Sequence, residues 1–369
     1  MSKILHVYKD YYPVLGGMEN HIKMLSEALV KLGHQVTVLV TDPSSRTHVE
    51  EVNGVQVIKA ARLATVASTP LSLALPHKLW RQDPDITHLH FPYPVGELSE
   101  LLFGRAPHTV ITYHSDVVRQ RGILRLYRPL LWRVLDKAER IIATSANYIR
   151  SSPYLSRYAD KCTVIPLGID LERFLAPSPQ RAAEIRTAHG TPLILFVGKL
   201  RYYKGLQYLL RAVPDIAGKL LVIGSGPMES EWRQLAASLG IQNRVIFLGQ
   251  VSDEELPAYY QACDLFVLPA SERSEAFGTV QIEAMASGLP VVCTELGTGT
   301  SAVNLDGQTG LVVEAQSPPA LRDAILSLLA DPVRRQEMGK RARERALTEY
   351  SLQRMVERTT ALYDQLLNT

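Results

Sequence analysis

The sequence predicts an α/β protein built from two doubly wound parallel-sheet domains, and three observations predict it. Short, wholly apolar runs alternate with helically periodic segments along almost the whole chain. The alternation forms two successive series. Between them lies Pro and Gly punctuation, Ile165-Pro166-Leu167-Gly168-Ile169-Asp170 and then Ala176-Pro177-Ser178-Pro179, the composition of a hinge. The break between the two series falls near Val164–Pro192.

In the first series the apolar runs Lys3–Tyr8, Gln35–Val40, Asp85–His90, Thr109–Tyr113, Arg140–Thr144 and Val164–Leu167 read as strands. The second series runs Leu193–Val197, Leu220–Ile223, Val245–Leu248, Leu265–Leu268, Pro290–Thr294 and Gly310–Val313. Runs without polar alternation belong to parallel strands covered on both faces. Residues 16–32 read as a helix, because Ile22, Leu25, Ala28, Leu29 and Leu32 share a face and Gly33 ends it. After Ser351, Leu352, Met355, Val356, Thr359, Leu362, Tyr363 and Leu366 recur at helical spacing. Such an amphipathic terminal helix needs a groove to cover.

At 369 residues the chain has the length of two domains. Lys plus Arg is 40 and Asp plus Glu is 37, a net charge of +3, which excludes an acidic disordered tail and gives no global case for nucleic-acid binding. Cys162, Cys263 and Cys293 are scattered and odd in number, so they support neither a disulfide framework nor a zinc ribbon. No run approaches the roughly 18 apolar residues of a membrane span. The initial run Ile4–Val7 is too short for a signal peptide and meets Lys9 and Asp10 at once. A cytoplasmic protein is expected, one that could lie on the inner face of a membrane.

Ligands of open α/β sheets bind beyond the carboxyl ends of the strands, so the loops there carry the chemistry. The first strand leads to Gly16 and Gly17 just before a helix, where a backbone can approach an anion closely; a plain turn explains the pair equally well. Gly198-Lys199-Leu200-Arg201-Tyr202-Tyr203-Lys204-Gly205 puts three cations at a strand end and before a helix, where the macrodipole disfavours them. That conflict points to a diphosphate partner. Gly224-Ser225-Gly226-Pro227 lacks the third glycine of a dinucleotide fingerprint and reads as a tight turn with Pro227 opening a helix.

The most informative segment runs from Ser274 to Pro290. Glu275 lies in a loop before a helix, and Glu283 about two turns inside it. Between them, Ala276, Phe277, Gly278, Thr279 and Val280 offer backbone amides to an anion. The first carboxylate suits sugar hydroxyls and the second a ribose diol. Ile282, Ala284, Met285 and Ala286 flank Glu283, and a buried glutamate needs a partner. In the first half, His114 ends a strand and would point to the same side; taken alone it reads as a hydrogen-bonded loop residue. His88 and His90 share a strand face, and lacking a third ligand at suitable spacing they are expected to be structural or to line substrate rather than bind metal. Asp83-Pro84-Asp85 precedes a strand and reads as a turn, not a metal-binding pair. The stretch Arg119–Arg140 interleaves basic residues with Ile, Leu, Tyr and Trp; it can lie on an anionic lipid surface, but a helix buried on one side and solvated on the other is the reading favoured.

Together these motifs resemble the family-4 retaining glycosyltransferases. Glu275 and Glu283 match the family's E-x7-E motif within Glu-Ala-Phe-Gly-x4-Glu-Ala-Met-Ala-x-Gly-x-Pro. Tyr12-Pro13…Gly16-Gly17-x-Glu19, Val164-Ile-Pro-x-Gly-Ile-Asp170, Gly198…Lys204-Gly205, Gly224-x-Gly-Pro227 and Phe247-Leu-Gly-x-Val251 follow in the family's order, so the resemblance covers essentially the whole chain. It implies the GT-B architecture: two Rossmann-like domains facing a central cleft, with the C-terminal helix crossing back to the N-terminal, acceptor-side domain, so that the first domain is expected to be 1–168 plus 351–369 and the second, donor-binding domain 169–350. It also implies roles. Gly16 and Gly17 approach the donor phosphate, and His114 contacts donor sugar and acceptor. Lys199 and Lys204 hold the pyrophosphate, Glu275 the sugar hydroxyls and Glu283 the ribose; the amides of residues 276–280 cap phosphate, and Val251 meets the base. The chain departs from the pattern in having Lys199 where arginine is common, and Arg201 two residues on leaves open which cation replaces it.

The activity implied is metal-independent hexosyl transfer with retention, with no cofactor, from a nucleotide-diphosphate sugar to a glycan or lipid-linked acceptor. Thr294–Ser301 resembles bacterial polysaccharide mannosyltransferases, which makes GDP-mannose the first donor expected and a UDP-sugar the second. A sugar-nucleotide 2-epimerase on the same scaffold and a non-catalytic sugar-nucleotide or lipid-binding protein are the alternatives.

Overall fold

The computed structural model describes residues 1–14, 16–66, 68–116 and 121–368, the stretch 121–126 by its backbone only. The chain divides into two compact units, Met1–Gly168 with Leu352–Thr369, and Ile169–Ser351.

The first unit contains β1 (Lys3–Val7), β2 (Gln35–Asp42), β3 (His48–Val52), β4 (Val55–Ala61), β5 (Ala64–Val66), β6 (Thr69–Leu71), β7 (Ile86–Phe91), β8 (His108–Tyr113), β9 (Arg140–Ala143) and β10 (Cys162–Val164). Its helices are α1 (Gly17–Lys31), α2 (Ala74–Trp80), α3 (Pro94–Phe103), α4 (Arg121–Lys137) and α5 (Ala146–Ser151). The main sheet has the order β10-β9-β8-β7-β1-β2-β4-β3, parallel except for the β3–β4 pair. Because β1 lies between β2 and β7, the chain winds away from it in both directions, and the loops after β1, β7 and β8 gather at a topological switch point.

The second unit contains α6 (Glu172–Leu175), α7 (Pro179–His189), β11 (Leu193–Val197), α8 (Leu206–Ala212), β12 (Lys219–Ile223), α9 (Glu229–Ser238), β13 (Val245–Gly249) and α10 (Leu256–Ala262). It continues through β14 (Leu265–Leu268), α11 (Thr279–Ala286), β15 (Val291–Glu295), α12 (Thr300–Val303), β16 (Gly310–Glu314), α13 (Pro318–Ala330) and α14 (Pro332–Glu349). All pairs of its sheet, β13-β12-β11-β14-β15-β16, are parallel. Its switch point falls between β11 and β14.

The last helix, α15 (Leu352–Leu367), belongs to the first unit. Met355, Val356, Leu362, Tyr363 and Leu366 enter that unit's core, and the Gly168 amide donates to Met355 Sδ at 3.1 Å. The spacing after Ser351 thus meets the groove it requires.

Most expected strands appear within two residues of their predicted ends. The last of the first series does not: it lies at 162–164, because Pro166 has no N–H and the ladder stops after Ile165 donates to Ala143. The β3–β4 hairpin escaped the sequence reading although Asn53-Gly54 takes left-handed φ values of 51° and 81° at its turn. Pro227 lies in a turn two residues before α9, not at its first position.

Candidate functional site

In the second unit the functional loops flank the switch point. The loop after β11 is stitched to the loop after β14 by a hydrogen bond from the Ser271 amide to the Tyr203 carbonyl, 2.9 Å. Gly205 makes this approach possible. Its φ is 68°, and a Cβ there would lie 1.9 Å from the Pro269 carbonyl oxygen.

The result is an ion pair from Lys204 Nζ to Glu275 Oε2, 2.6 Å, with both side chains about nine-tenths buried. Burial by itself lowers the Lys204 ammonium pKa; the Glu275 carboxylate more than offsets that and holds it above the ordinary lysine value. Glu275 is fixed from behind. Thr298 Oγ1 donates to its carbonyl at 2.9 Å, and the Gly299 amide donates to the Ala276 carbonyl at 2.7 Å. Lys199 and Arg201 lie on the same loop but are exposed, without a carboxylate partner among the described residues. Of the three cations, only Lys204 reaches Glu275.

The expected run of helix-start amides is shorter than residues 276–280. Helix α11 begins at Thr279 after Gly278, whose φ is 77°. Ala276 and Phe277 precede it, and Phe277 is buried against the Tyr350 ring. The first turn closes from the Gln281 amide to the Gly278 carbonyl, so Thr279 and Val280 carry the amides with no acceptor inside the helix. Glu283, half-buried on α11, accepts a hydrogen bond from Tyr260 Oη at 2.9 Å through Oε2. Burial pushes its carboxyl pKa up, and the Tyr260 hydroxyl works against that. Tyr260 is thus the partner that Glu283 needed. Val251 is half-buried just beyond β13.

In the first unit, Gly16 caps α1, and a Cβ there would meet the Glu19 carboxylate at 2.1 Å, while Gly17 opens on free space. His114, immediately after β8, is buried and belongs to a larger set. His90 Nδ1 lies 3.0 Å from His114 Nε2, and His90 Nε2 lies 3.0 Å from His6 Nδ1. His88 meets Thr112 Oγ1 at 2.6 Å and the Tyr363 hydroxyl of α15. His21 of α1 stacks edge-on against His114 with ring centroids 5.1 Å apart, and neither of its nitrogens has a partner among the described residues. Burial keeps all five imidazoles neutral. It lowers His6 to about 3, with His21 adding to the shift, and His21 to about 4; His88, His90 and His114 lie well below the usual value.

The expectation that His88 and His90 lack a third ligand is corrected. His6 is the register neighbour of His88 across β1 and β7, and His21–His90–His114 form a second triple; within each, nitrogens lie within 4.8 Å of one another. Chain spacing cannot show neighbours on adjacent strands. Both His90 nitrogens are nonetheless engaged ring to ring, so the arrangement is a row of hydrogen-bonded imidazoles that a metal would have to break.

Asp85 of the rejected Asp-x-Asp triplet accepts from the Lys3 amide at 2.7 Å, a turn at the sheet's amino end. Of the basic stretch 119–140, Arg119 lies outside the described residues. On α4, Leu131, Val134 and Leu135 are buried while Arg128 and Arg133 are exposed, a helix with one side in the core.

Residues 15–173 match the family described as Glycosyltransferase Family 4, and residues 179–345 match Glycosyl transferases group 1. The chain is 39% identical to D-rhamnosyltransferase WbpZ of Pseudomonas aeruginosa over 93% of this chain and 91% of that one. It is 36% identical to O-antigen chain mannosyltransferase C of Escherichia coli over 100% and 99% of the two chains. The fold matches that of a sucrose-phosphate synthase from Thermosynechococcus elongatus with a TM-score of 0.82 and 24% identity, covering 100% of both chains. Two parallel-sheet Rossmann-like units, a glycine-rich entry to α1 and the Glu275–Glu283 segment therefore have one reading: the chain belongs to the family-4 glycosyltransferases of GT-B fold and is a hexosyltransferase.

Proposed function

We propose that the protein transfers a hexose, with retention and without a metal, from a nucleoside diphosphate sugar to a glycan or lipid-linked acceptor. The donor proposed first is GDP-mannose, then a UDP-sugar. The observation that carries the reading is the buried Lys204–Glu275 pair at the second unit's switch point, on the loop that leads to the open amides of α11.

Cleaving a sugar–phosphate bond leaves new negative charge on the diphosphate while the sugar becomes oxocarbenium-like. Fixed donors aimed at that charge lower the barrier most. Lys204 and the Thr279 and Val280 amides are such donors, with Lys199 and Arg201 at the exposed side of the loop. As phosphate takes over Lys204, Glu275 is released to accept hydrogen bonds from the sugar hydroxyls. Glu283, oriented by Tyr260, takes the ribose diol through Oε1. Gly16 and Gly17 leave room at the first unit's switch point, and His114 contacts the acceptor hydroxyl. That hydroxyl attacks on the leaving-group face and gives its proton to the departing phosphate. The similarity to a protein named a mannosyltransferase and the Thr294–Ser301 stretch favour GDP-mannose.

Incubation with GDP-mannose and the relevant glycan acceptor, in EDTA, should give an α-linked product by NMR at the rate seen without chelator. Loss of activity in EDTA, restored by a divalent ion, would overturn the metal-free reading. Epimerised sugar nucleotide formed without acceptor would instead favour the epimerase, which no named relative above supports. For Tyr260→Phe, KM for the donor should rise about fivefold with kcat little changed, since one net hydrogen bond is worth roughly 1 kcal/mol. An unchanged KM would remove Glu283 from donor binding.

A further inference from the structure

Helix α3 is inside out. Its polar residues Glu97, Ser99 and Glu100 are buried, and Leu98, Leu102 and Phe103 face outward. The Glu97 carboxyl is raised to about 8 by burial, and its Oε2 has no partner among the described residues. Packing for stability alone would put the leucines in and the glutamates out. The outward leucines instead wall an apolar cavity of about 660 Å³, a volume typical of pockets that bury a small ligand. Leu71 and Leu73 complete its rim, with Leu73 77% exposed and Leu102 61% exposed. Single exposed leucines need no explanation, whereas this many around one hollow mark a binding site.

Among the described residues that line the cavity Lys9 is the one charged side chain, and it has no carboxylate partner among them. It projects from the carboxyl end of β1, with Nζ 5.5 Å from the centre of the Tyr8 ring. Tyr8 joins the cavity to the histidine row: its ring centroid is 6.4 Å from that of Tyr93, which lines the cavity, and 6.2 Å from that of His90. His90 in turn lies 5.3 Å from His114. An apolar hollow with one unpaired cation at its edge is complementary to a hydrocarbon chain that ends in a phosphate. Within a few side chains of that phosphate stands His114.

We propose that this cavity seats the hydrocarbon chain of a lipid-phosphate-linked acceptor, with the phosphate at Lys9. The assignment rests on the transferase reading above and gives its acceptor a chemical class. The occupant is one lipid molecule, not a bilayer surface or a protein segment: the apolar hollow offers about 660 Å³ to fill, and the one free cation among its described lining residues matches one phosphate.

The test uses the full chain and farnesyl phosphate, titrated by calorimetry below its micelle-forming concentration, with inorganic phosphate and farnesol as partial probes. Farnesyl phosphate should bind at one site and each partial probe at least about tenfold more weakly. Leu98→Gln/Leu102→Gln, exposed positions that leave the core intact, should weaken farnesyl phosphate at least tenfold. Lys9→Gln should bring farnesyl phosphate down to the level of farnesol. Both variants should keep the wild-type thermal shift with GDP. No binding, binding indifferent to both variants, or binding only to acidic phosphatidylglycerol vesicles would overturn the cavity assignment. If farnesyl phosphate behaves as stated while no nucleotide or nucleotide sugar binds, the transferase reading fails and the lipid site stands.

Discussion

Lys204→Ala is expected to lower turnover by at least about 10²-fold, the cost of removing one fixed donor from a developing anion. The loss should fall in kcat, because the charge that Lys204 meets grows as the sugar–phosphate bond opens. The substitution also leaves Glu275 buried without its cation, which costs roughly 3–5 kcal/mol when a buried pair loses one partner. Activity and folding must therefore be separated. In Lys204→Met/Glu275→Gln both charges are gone, so the melting temperature should recover toward wild type while turnover stays low. Single-turnover rates alongside thermal melts read both quantities. Wild-type turnover in a folded Lys204→Ala protein would remove the phosphate clamp from the mechanism.

Acid should destabilise the first unit well before ordinary carboxylates protonate. Unfolded histidines titrate near 6.5, whereas folded His6 and His21 titrate near 3 and 4. Between about pH 6.5 and 4 the unfolded chain binds protons that the native state excludes, so stability falls as pH falls. Each such histidine contributes a slope of about 1.4 kcal/mol per pH unit in that window, and His88, His90 and His114 act in the same direction. Glu97 opposes them. Its raised folded pKa means that the native state holds a proton which the unfolded state releases, so its contribution grows as pH falls toward the ordinary carboxylate range. Glu100, also raised by burial, acts in the same direction as Glu97; two carboxyls cannot cancel five imidazoles, and the net slope remains positive. Urea unfolding at pH 7.0, 6.0 and 5.0 should show it, and His21→Leu should flatten it by about one histidine's share. Equal stability across that range would contradict the neutral, buried histidine row.

The sequence revealed whatever is periodic or contiguous. Strands β11 and β14 were readable to the residue, and Glu275 and Glu283 stood out because a fixed spacing along a loop and helix survives in one dimension. Tyr260, Thr298, His6 and His21 were not singled out. Each becomes functional only through a neighbour on another element, His6 through the β1–β7 register and Tyr260 through the face of α10 turned to Glu283. Likewise three cations within six residues gave no sign that only the last would turn inward, since that depends on Gly205 passing against the Pro269 carbonyl. Helix α3 misleads a reading by pattern, because Leu98, Leu102 and Phe103 lie outside while Glu97 and Glu100 lie within.

The return of α15 to the first unit has a consequence for how the protein is made. Translation runs from the amino end, so residues 169–351 are available to condense while the earlier unit still lacks the helix that brings Tyr363 to His88. The order of birth and the order of completion are reversed: the half begun first is finished last, and until then its open flank is exposed to chaperones and proteases. Stop codons or frameshifts near residue 350 should accordingly damage the half of the molecule most distant from them in sequence.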